Sequence, residues 1–180
     1  MRPQKREAHP SAWLALREMS LTSDPGEVRR VVESSRLFRT EEVEVAVELV
    51  LDHFQFGSTS DYRFLYAHPK GEPERVAGYT CFGEIACTVG SYDLYWIAVD
   101  DTHSGRGVGS WLLEQTETRI RGAGGRRVYI ETSGCADYRS TQRFYLNRGY
   151  GLEAKLADFY RPGDPKLIYG KALGTVLISV

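Results

Sequence analysis

The pattern of apolar and polar positions predicts helices in the first part of the chain and strands after Gly57. Asp24 is the predicted N-cap of a first helix, with Pro25 in its first turn. Thr40 is the predicted N-cap of a second helix. Apolar residues three or four positions apart mark the face that each helix buries. They are Val28, Val31 and Val32 in the first helix and Val43, Ala46, Val47, Val50 and Phe54 in the second.

Beyond Gly57, runs rich in β-branched and aromatic residues alternate with polar turns and predict strands. Three successive runs, at 62–67, 75–82 and 92–99, are most simply an antiparallel meander. A weaker strand signal lies near 13–16, inside a lead-in segment of residues 1–20. We treat residues 21–180 as a single domain, because that length suits one hydrophobic core.

A glycine-rich turn at 105–109 opens the remaining part of the chain. The elements predicted after it are a helix to residue 121, a strand at 127–132, a helix at 141–148, and two strands at 152–156 and 167–173 joined by a turn at 161–164. The predicted order is two helices, three strands, a helix, a strand, a helix and two strands. This order predicts the α+β fold class, with a mixed sheet covered by helices.

Composition and charge narrow the class of protein. The 180 residues are 42% apolar and 26% charged, which is typical of a globular domain. With 23 basic and 24 acidic residues the net charge is -1, which argues against a nucleic-acid partner. The longest apolar run, 94–99, is too short to span a membrane. Three cysteines without a CxxC pair and scattered histidines predict no disulfide framework, no metal site and a cytoplasmic protein.

The sharpest chemical signal is the run Gly-Arg-Gly-Val-Gly-Ser at 105–110. Glycines let the backbone approach a phosphate closely, and the helix that follows directs its free N–H groups and positive dipole end to the same place. The alternative is a tight turn that only needs positive φ. A dinucleotide-binding fingerprint would need glycine where Ser110 stands, although Glu131 lies at the distance expected for its acidic residue. No Lys-Ser or Lys-Thr pair closes the run, which excludes a Walker loop.

Two motifs in this order resemble the GNAT superfamily of N-acetyltransferases. The strand residues 95–99, five loop residues and the Gly-x-Gly-x-Gly run resemble the family's motif A, which holds the pyrophosphate of acetyl-coenzyme A. Residues 144–150, Phe-Tyr-Leu-Asn-Arg-Gly-Tyr, match the family's FYxxxGF/Y motif. The resemblance implies the acyl-CoA N-acyltransferase fold, a mostly antiparallel central sheet flanked by helices. Residues 138–141 and 158–164 are similar to the branch that acetylates protein N-termini, including ribosomal-protein alanine acetyltransferases.

The resemblance also implies which residues bind acetyl-CoA. Backbone N–H groups near Ala98 and Val99 would face the acetyl oxygen and the pantetheine. The family's Arg or Gln position falls on Ser104, so Arg106 or His103 would replace one pyrophosphate contact. The full implied set is Ile97, Ala98, Val99, Ser104, Gly105, Arg106, Gly107, Val108, Gly109, Ser110, Tyr138 and Thr141. Tyr138 and Thr141 stand where the family usually has Asn and Ala.

The same resemblance implies the catalytic residues. Tyr145 occupies the position of the family's general acid, and Asp93 falls where some members carry a glutamate base. Alternation along the strand places Asp93 on one face with residues 95, 97 and 99. Glu84 is a rival base at the end of the preceding strand. Cys135 is more simply an inert loop thiol than a group that approaches the coenzyme thiol. No cysteine lies where a nucleophile with a histidine partner would be expected, which favours direct transfer.

The sequence therefore predicts an acyltransferase that moves the acetyl group of acetyl-CoA directly to a primary amine, with no metal. The alternatives are a non-catalytic acyl-CoA-binding or sensor domain and, less favoured, a nicotinamide-dinucleotide binder. The acceptor is left open between an amine-bearing small molecule and a protein or peptide. A homodimer is a further expectation, because dimers are common among proteins of this kind.

Overall fold

The computed structural model describes residues 8–174, which form a seven-stranded mixed sheet with four α-helices. The strands are β1 (Leu14–Arg17), β2 (Arg63–Pro69), β3 (Gly78–Glu84), β4 (Ser91–Val99), β5 (Arg127–Ser133), β6 (Gly151–Arg161) and β7 (Asp164–Ala172). The helices are α1 (Asp24–Ser34), α2 (Thr40–Phe56), α3 (Val108–Gly122) and α4 (Arg139–Leu146). The predicted fold class, an α+β mixed sheet flanked by helices, is confirmed.

The strand order is β1-β2-β3-β4-β5-β7-β6. β1 pairs with β2 antiparallel, as β5 does with β7 and β6 with β7. β4 and β5 are parallel, pairing Ser91 with Arg127 and Asp93 with Tyr129. A parallel step needs a crossover connection, and α3 supplies it between these two strands. Three of these four strand pairings are therefore antiparallel and one is parallel.

The chain divides into two compact units, each with its own apolar core. The first contains the chain up to Cys81 and Trp96–Gln115, and the second contains Phe82–Tyr95 and the chain from Thr116 onward. In the first unit the predicted faces of α1 and α2 pack on strand residues such as Tyr66 and Tyr79, both fully buried. In the second unit the buried large apolar residues are Phe82, Tyr92, Leu94, Ile120, Val128, Ile130, Tyr145, Tyr150, Leu167, Tyr169 and Leu173.

Three local predictions about the first helices are wrong. Asp24 is the first residue of α1 and Ser23 is the N-cap; the buried Asp24 carboxylate instead accepts hydrogen bonds from Arg17 and from the backbone N–H of Leu21 at 2.7 Å. Thr40 begins α2 one residue after the N-cap. Phe54 keeps 39% of its surface exposed, because it lies in the last turn of the helix.

The remaining elements agree with the prediction apart from their ends. A strand does form in the lead-in segment, at Leu14–Arg17, and pairs with β2. α4 begins at Arg139, two residues before the predicted start at residue 141. β6 extends to Arg161, which pairs with Asp164 of β7 after a register shift that follows Leu156.

Candidate active site

The glycine turn that follows β4 has the backbone conformation that only glycine adopts readily. Gly105 and Gly107 have φ of 74° and 82°. A side chain at either position would impose backbone strain, so the need for a tight turn explains part of the glycine signal. α3 begins directly afterwards at Val108, and its first N–H groups have no acceptor within the helix. Gly105, Arg106 and Gly107 are exposed, which leaves this concave backbone open to an anion.

Asp100 fixes the start of this turn, and sequence reasoning did not find it. Its backbone N–H donates to the carbonyl of Ala77 at 2.9 Å, and its carboxylate accepts from the backbone N–H of Thr102 at 3.0 Å. The same buried carboxylate forms an ion pair with Arg30 of α1. Burial would raise the pKa of Asp100, but the Thr102 hydrogen bonds and the Arg30 charge outweigh it and hold the pKa below its usual value.

An aromatic side chain from the lead-in segment lies against the same turn. The guanidinium of Arg106 lies over the ring of Trp13, with its central carbon 4.1 Å from the ring centroid. His103 stacks on Trp13 with 5.5 Å between ring centroids. Arg106 and His103 are the two residues expected to replace the family's Arg or Gln contact. Both therefore contact the Trp13 indole. No sequence motif predicts this contact of Trp13, which is only an aromatic residue in the lead-in segment.

The other implied coenzyme residues of the first unit lie around the turn. Ala98 and Val108 are buried, whereas Ile97, Val99 and Ser110 are half-buried. Ser104 is exposed and extended, with its N–H bonded to the carbonyl of Asp101 at 3.0 Å. Gly109 lies inside α3 and has no positive φ, so its backbone conformation does not require glycine.

Tyr145 lies on α4 in the second unit and is buried among aromatic rings. Its ring centroid is 5.2 Å from that of Phe144, 5.8 Å from that of Tyr150 and 6.3 Å from that of Tyr169. Burial raises the pKa of the Tyr145 phenol, because the phenolate would lose its hydration. The hydroxyl therefore stays protonated across the neutral range, as a proton donor must.

A buried ionic network holds the Tyr150 ring that contacts Tyr145. The Tyr150 hydroxyl donates to Glu117 of α3 at 2.9 Å, and the Lys171 ammonium bonds both oxygens of that carboxylate at 2.8 Å. Arg121 adds a longer ion pair at 3.7 Å. The second aromatic residue of the FYxxxGF/Y motif is thus tied to α3 and β7, which sequence reasoning did not predict.

Asp93 and Glu84 occupy different environments in the second unit. Asp93 is half-buried on β4, whereas Glu84 is exposed at the end of β3. Burial raises the pKa of Asp93, and the nearby Glu131 carboxylate raises it further, against a smaller opposite effect of Lys166. Lys166 is itself bonded to Glu131 at 2.5 Å. A half-buried carboxylate with a raised pKa is the better suited of the two to accept a proton near neutral pH.

The region before α4 carries the last implied residues. Tyr138 ends a short 3₁₀ turn and is the N-cap of α4, while Thr141 is half-buried in the first turn of that helix. Cys135 is half-buried, and its N–H donates to the Ser133 hydroxyl at 3.0 Å. Among residues 8–174 no group of three or more His, Cys, Asp or Glu side chains is arranged to hold a metal ion. None of the described helices is long and apolar enough to cross a membrane.

Comparison with known families decides what kind of protein this geometry belongs to. The profile of the Acetyltransferase (GNAT) family matches residues 29–150. The chain belongs to the GNAT family of acetyltransferases. The protein is therefore an acyltransferase, and the GNAT match spans the glycine turn, Tyr145 and Asp93. It begins after Trp13, so the aromatic residue that contacts Arg106 lies outside the family profile.

Solved structures agree with the GNAT assignment. A protein from Desulfovibrio desulfuricans assigned to the GNAT family is 43% identical, with a TM-score of 0.85 over 89% of this chain and 99% of that chain. An aminoglycoside 6'-N-acetyltransferase complexed with coenzyme A is 12% identical, with a TM-score of 0.68 over 90% and 98%. The ribosomal-protein-S18-alanine N-acetyltransferase from Escherichia coli is 14% identical, with a TM-score of 0.69 over 93% and 98%. The last two show the GNAT fold alone. Among curated proteins, none matches the sequence.

Proposed function

We propose that the protein transfers the acetyl group of acetyl-CoA to a primary amine, with the pyrophosphate bound by the turn at 105–110. The observation that carries this proposal is the positive φ of Gly105 and Gly107 directly before the N-terminus of α3. That geometry directs backbone N–H groups toward an anion without using side chains. Arg106 supplies a cation at the same turn, where Ser104 cannot.

Tyr145 is the proposed general acid. As the amine nitrogen bonds to the thioester carbonyl carbon, the carbon–sulfur bond breaks and the departing thiolate takes the phenolic proton. Burial keeps that phenol protonated until the thiolate forms. A thiolate in similarly apolar surroundings also has a raised pKa, which narrows the difference in pKa between donor and acceptor. Direct attack by the amine requires no covalent enzyme intermediate.

Asp93 is the proposed general base, because its environment raises its pKa toward the working range. An amine acceptor is mostly protonated at neutral pH and must lose a proton to attack. The exposed Glu84 is the second candidate for this proton. Comparing Asp93→Asn with Glu84→Gln identifies the base: the variant that loses turnover and the acidic limb of the pH profile carries that role.

The acceptor class is an amine-bearing small molecule or a protein or peptide. The structural neighbours named for an aminoglycoside and for a ribosomal-protein alanine illustrate both kinds. The homodimer, the cytoplasmic location and the single domain at 21–180 stay predictions.

The deciding experiment is a panel of amines incubated with acetyl-CoA, with thiol release and acetylated product measured together. We expect one class of amine to give saturable turnover that Tyr145→Phe lowers about a hundredfold or more. Tight binding of acetyl-CoA without turnover of any amine would favour the sensor function. Binding of NADH in preference to acetyl-CoA would refute the proposal.

A further inference from the structure

The segment Pro10–Ala12 and the adjoining Trp13 form a rigid support beside the glycine turn. The Trp13 N–H donates to the carbonyl of Pro10 at 3.1 Å, and the carbonyl of Trp13 accepts from the Lys70 N–H at 3.1 Å. Pro10 is buried, and a β-carbon placed on Gly107 would lie 3.6 Å from its Cγ. The backbone of Trp13 is therefore fixed on both sides, and the segment contacts the turn directly.

The ring of Trp13 contacts Arg106, which is the only positively charged side chain in the turn at 105–110. Arg106 is exposed, yet its guanidinium lies 4.1 Å from the indole centroid. Tryptophan is the strongest aromatic partner for a guanidinium, and His103 stacks on the same ring. A guanidinium held over a ring by its central carbon keeps N–H groups that can still donate to a phosphate. None of the carboxylates in the part of the chain described forms an ion pair with Arg106.

We infer that Trp13 is a positioning residue for coenzyme binding: it holds Arg106 beside the glycine turn as a preorganised ligand for a coenzyme phosphate. This inference rests on the proposed binding of acetyl-CoA at that turn. A flexible arginine would lose rotamer freedom when it binds a phosphate, and one already held over an indole ring has lost part of it beforehand. The lead-in segment is then part of the coenzyme site, although it precedes the family match.

The test is a double-mutant cycle on coenzyme A affinity, measured by titration calorimetry with Trp13→Leu, Arg106→Gln and both together. Loss of a charged phosphate contact predicts that Arg106→Gln weakens binding about tenfold or more. Loss of an exposed cation–π contact predicts about a threefold loss for Trp13→Leu. The double variant should bind no more weakly than Arg106→Gln alone, because Trp13 acts through Arg106. Trp13→Phe, which retains an aromatic face, should restore most of the affinity.

A second substrate separates positioning from general damage to the fold. Acetyl-pantetheine has the same thioester but no phosphate, so its kcat/KM should be unchanged in Trp13→Leu and Arg106→Gln. Equal losses for acetyl-pantetheine and acetyl-CoA would overturn the inference, as would a Trp13→Leu effect of the same size with and without Arg106. A wild-type protein that binds no coenzyme A would overturn the proposed function itself and this inference with it.

Discussion

Replacing Asp100 by Asn tests whether the charge of this buried carboxylate stabilises the entry to the glycine turn. The substitution keeps the shape and one carbonyl oxygen, so the hydrogen bond from the Thr102 N–H at 3.0 Å can survive. It removes the negative charge that faces Arg30. The change therefore acts on the ionic contacts of this carboxylate, which are with Arg30 of α1 and, at 3.6 Å, with the His103 ring when that ring is protonated.

The contacts that Arg30 keeps set the size of the effect. Removing one partner of a buried ion pair costs about 3–5 kcal/mol when the other charge is left unpaired. Arg30 is not left unpaired, because it still donates to Glu27 at 2.8 Å and to the carbonyl of Val76 at 2.6 Å. The loss then resembles one hydrogen bond between charged groups, about 2 kcal/mol. For a chain of this length that corresponds to a fall in Tm of about 4–8 °C.

Thermal unfolding measured from neutral to acidic pH checks both the size and the origin of this loss. The pKa of Asp100 is lowered in the folded state, so its contribution is fully present above the pKa of an unfolded aspartate, about 3.9, and is lost as pH falls below it. The difference between wild type and Asp100→Asn should therefore be largest at neutral pH and shrink in acid. Asp101→Asn is the control, because Asp101 is exposed. A loss below about 0.5 kcal/mol at pH 7, the range of ordinary surface substitutions, would refute the reasoning.

Three further changes test the proposed chemistry. Tyr145→Phe should lower kcat about a hundredfold or more while coenzyme affinity is retained, measured by thiol release and calorimetry, because only the proton donor is removed. Gly105→Ala should cost about 1–2 kcal/mol of stability from its positive φ, and should also weaken coenzyme A binding about tenfold or more as the turn loses a backbone contact. Asp93→Asn should lower turnover yet raise Tm at neutral pH. The raised pKa of Asp93 means that ionisation disfavours the folded state once pH exceeds the unfolded pKa, so the gain should vanish in strong acid.

Each of these changes has a matched control. Tyr169→Phe alters a buried phenol in contact with the same ring and should leave kcat nearly unchanged. Gly71→Ala imposes a similar strain at φ 89° in a different turn, so a loss of coenzyme affinity equal to that of Gly105→Ala would contradict the site. Asp137→Asn changes an exposed carboxylate and should alter neither Tm nor turnover. An Asp93→Asn protein with full activity would exclude Asp93 as the base.

Periodicity and motif spacing predicted most of the architecture, because both depend on short stretches of chain. The valines predicted to be buried in α1 and α2 are buried, since their spacing follows the helix itself. The prediction that Phe54 is buried is wrong for a related reason. Spacing indicates which face of a helix is apolar, but not how far along the helix the sheet covers that face. Asp24 fits an N-cap pattern, yet its carboxylate accepts hydrogen bonds from Arg17 and from the Leu21 N–H. No local sequence rule predicts these two hydrogen bonds.

The candidate site residues also divide into those that a short motif predicts and those that depend on partners distant in the chain. The sequence predicts roles for the glycine turn and for Tyr145 because each lies in a short motif, and these roles stay predictions. It predicts none for Asp100, Trp13 and Glu117, because their roles depend on partners far away in the chain, such as Arg30 at a separation of 70 residues. Distant partners of this kind become visible only once the fold brings them together.

We expect the packing of Pro10 and Trp13 on the glycine turn to limit how far a recombinant form can be shortened. A protein trimmed to begin at residue 29, where the family profile starts, would lack the aromatic platform for Arg106. It would also lack β1, and the freed edge of β2 would offer unpaired backbone groups to other molecules. Shortened versions should therefore keep the chain from His9 onward, since loss of solubility and loss of coenzyme affinity would otherwise arise together.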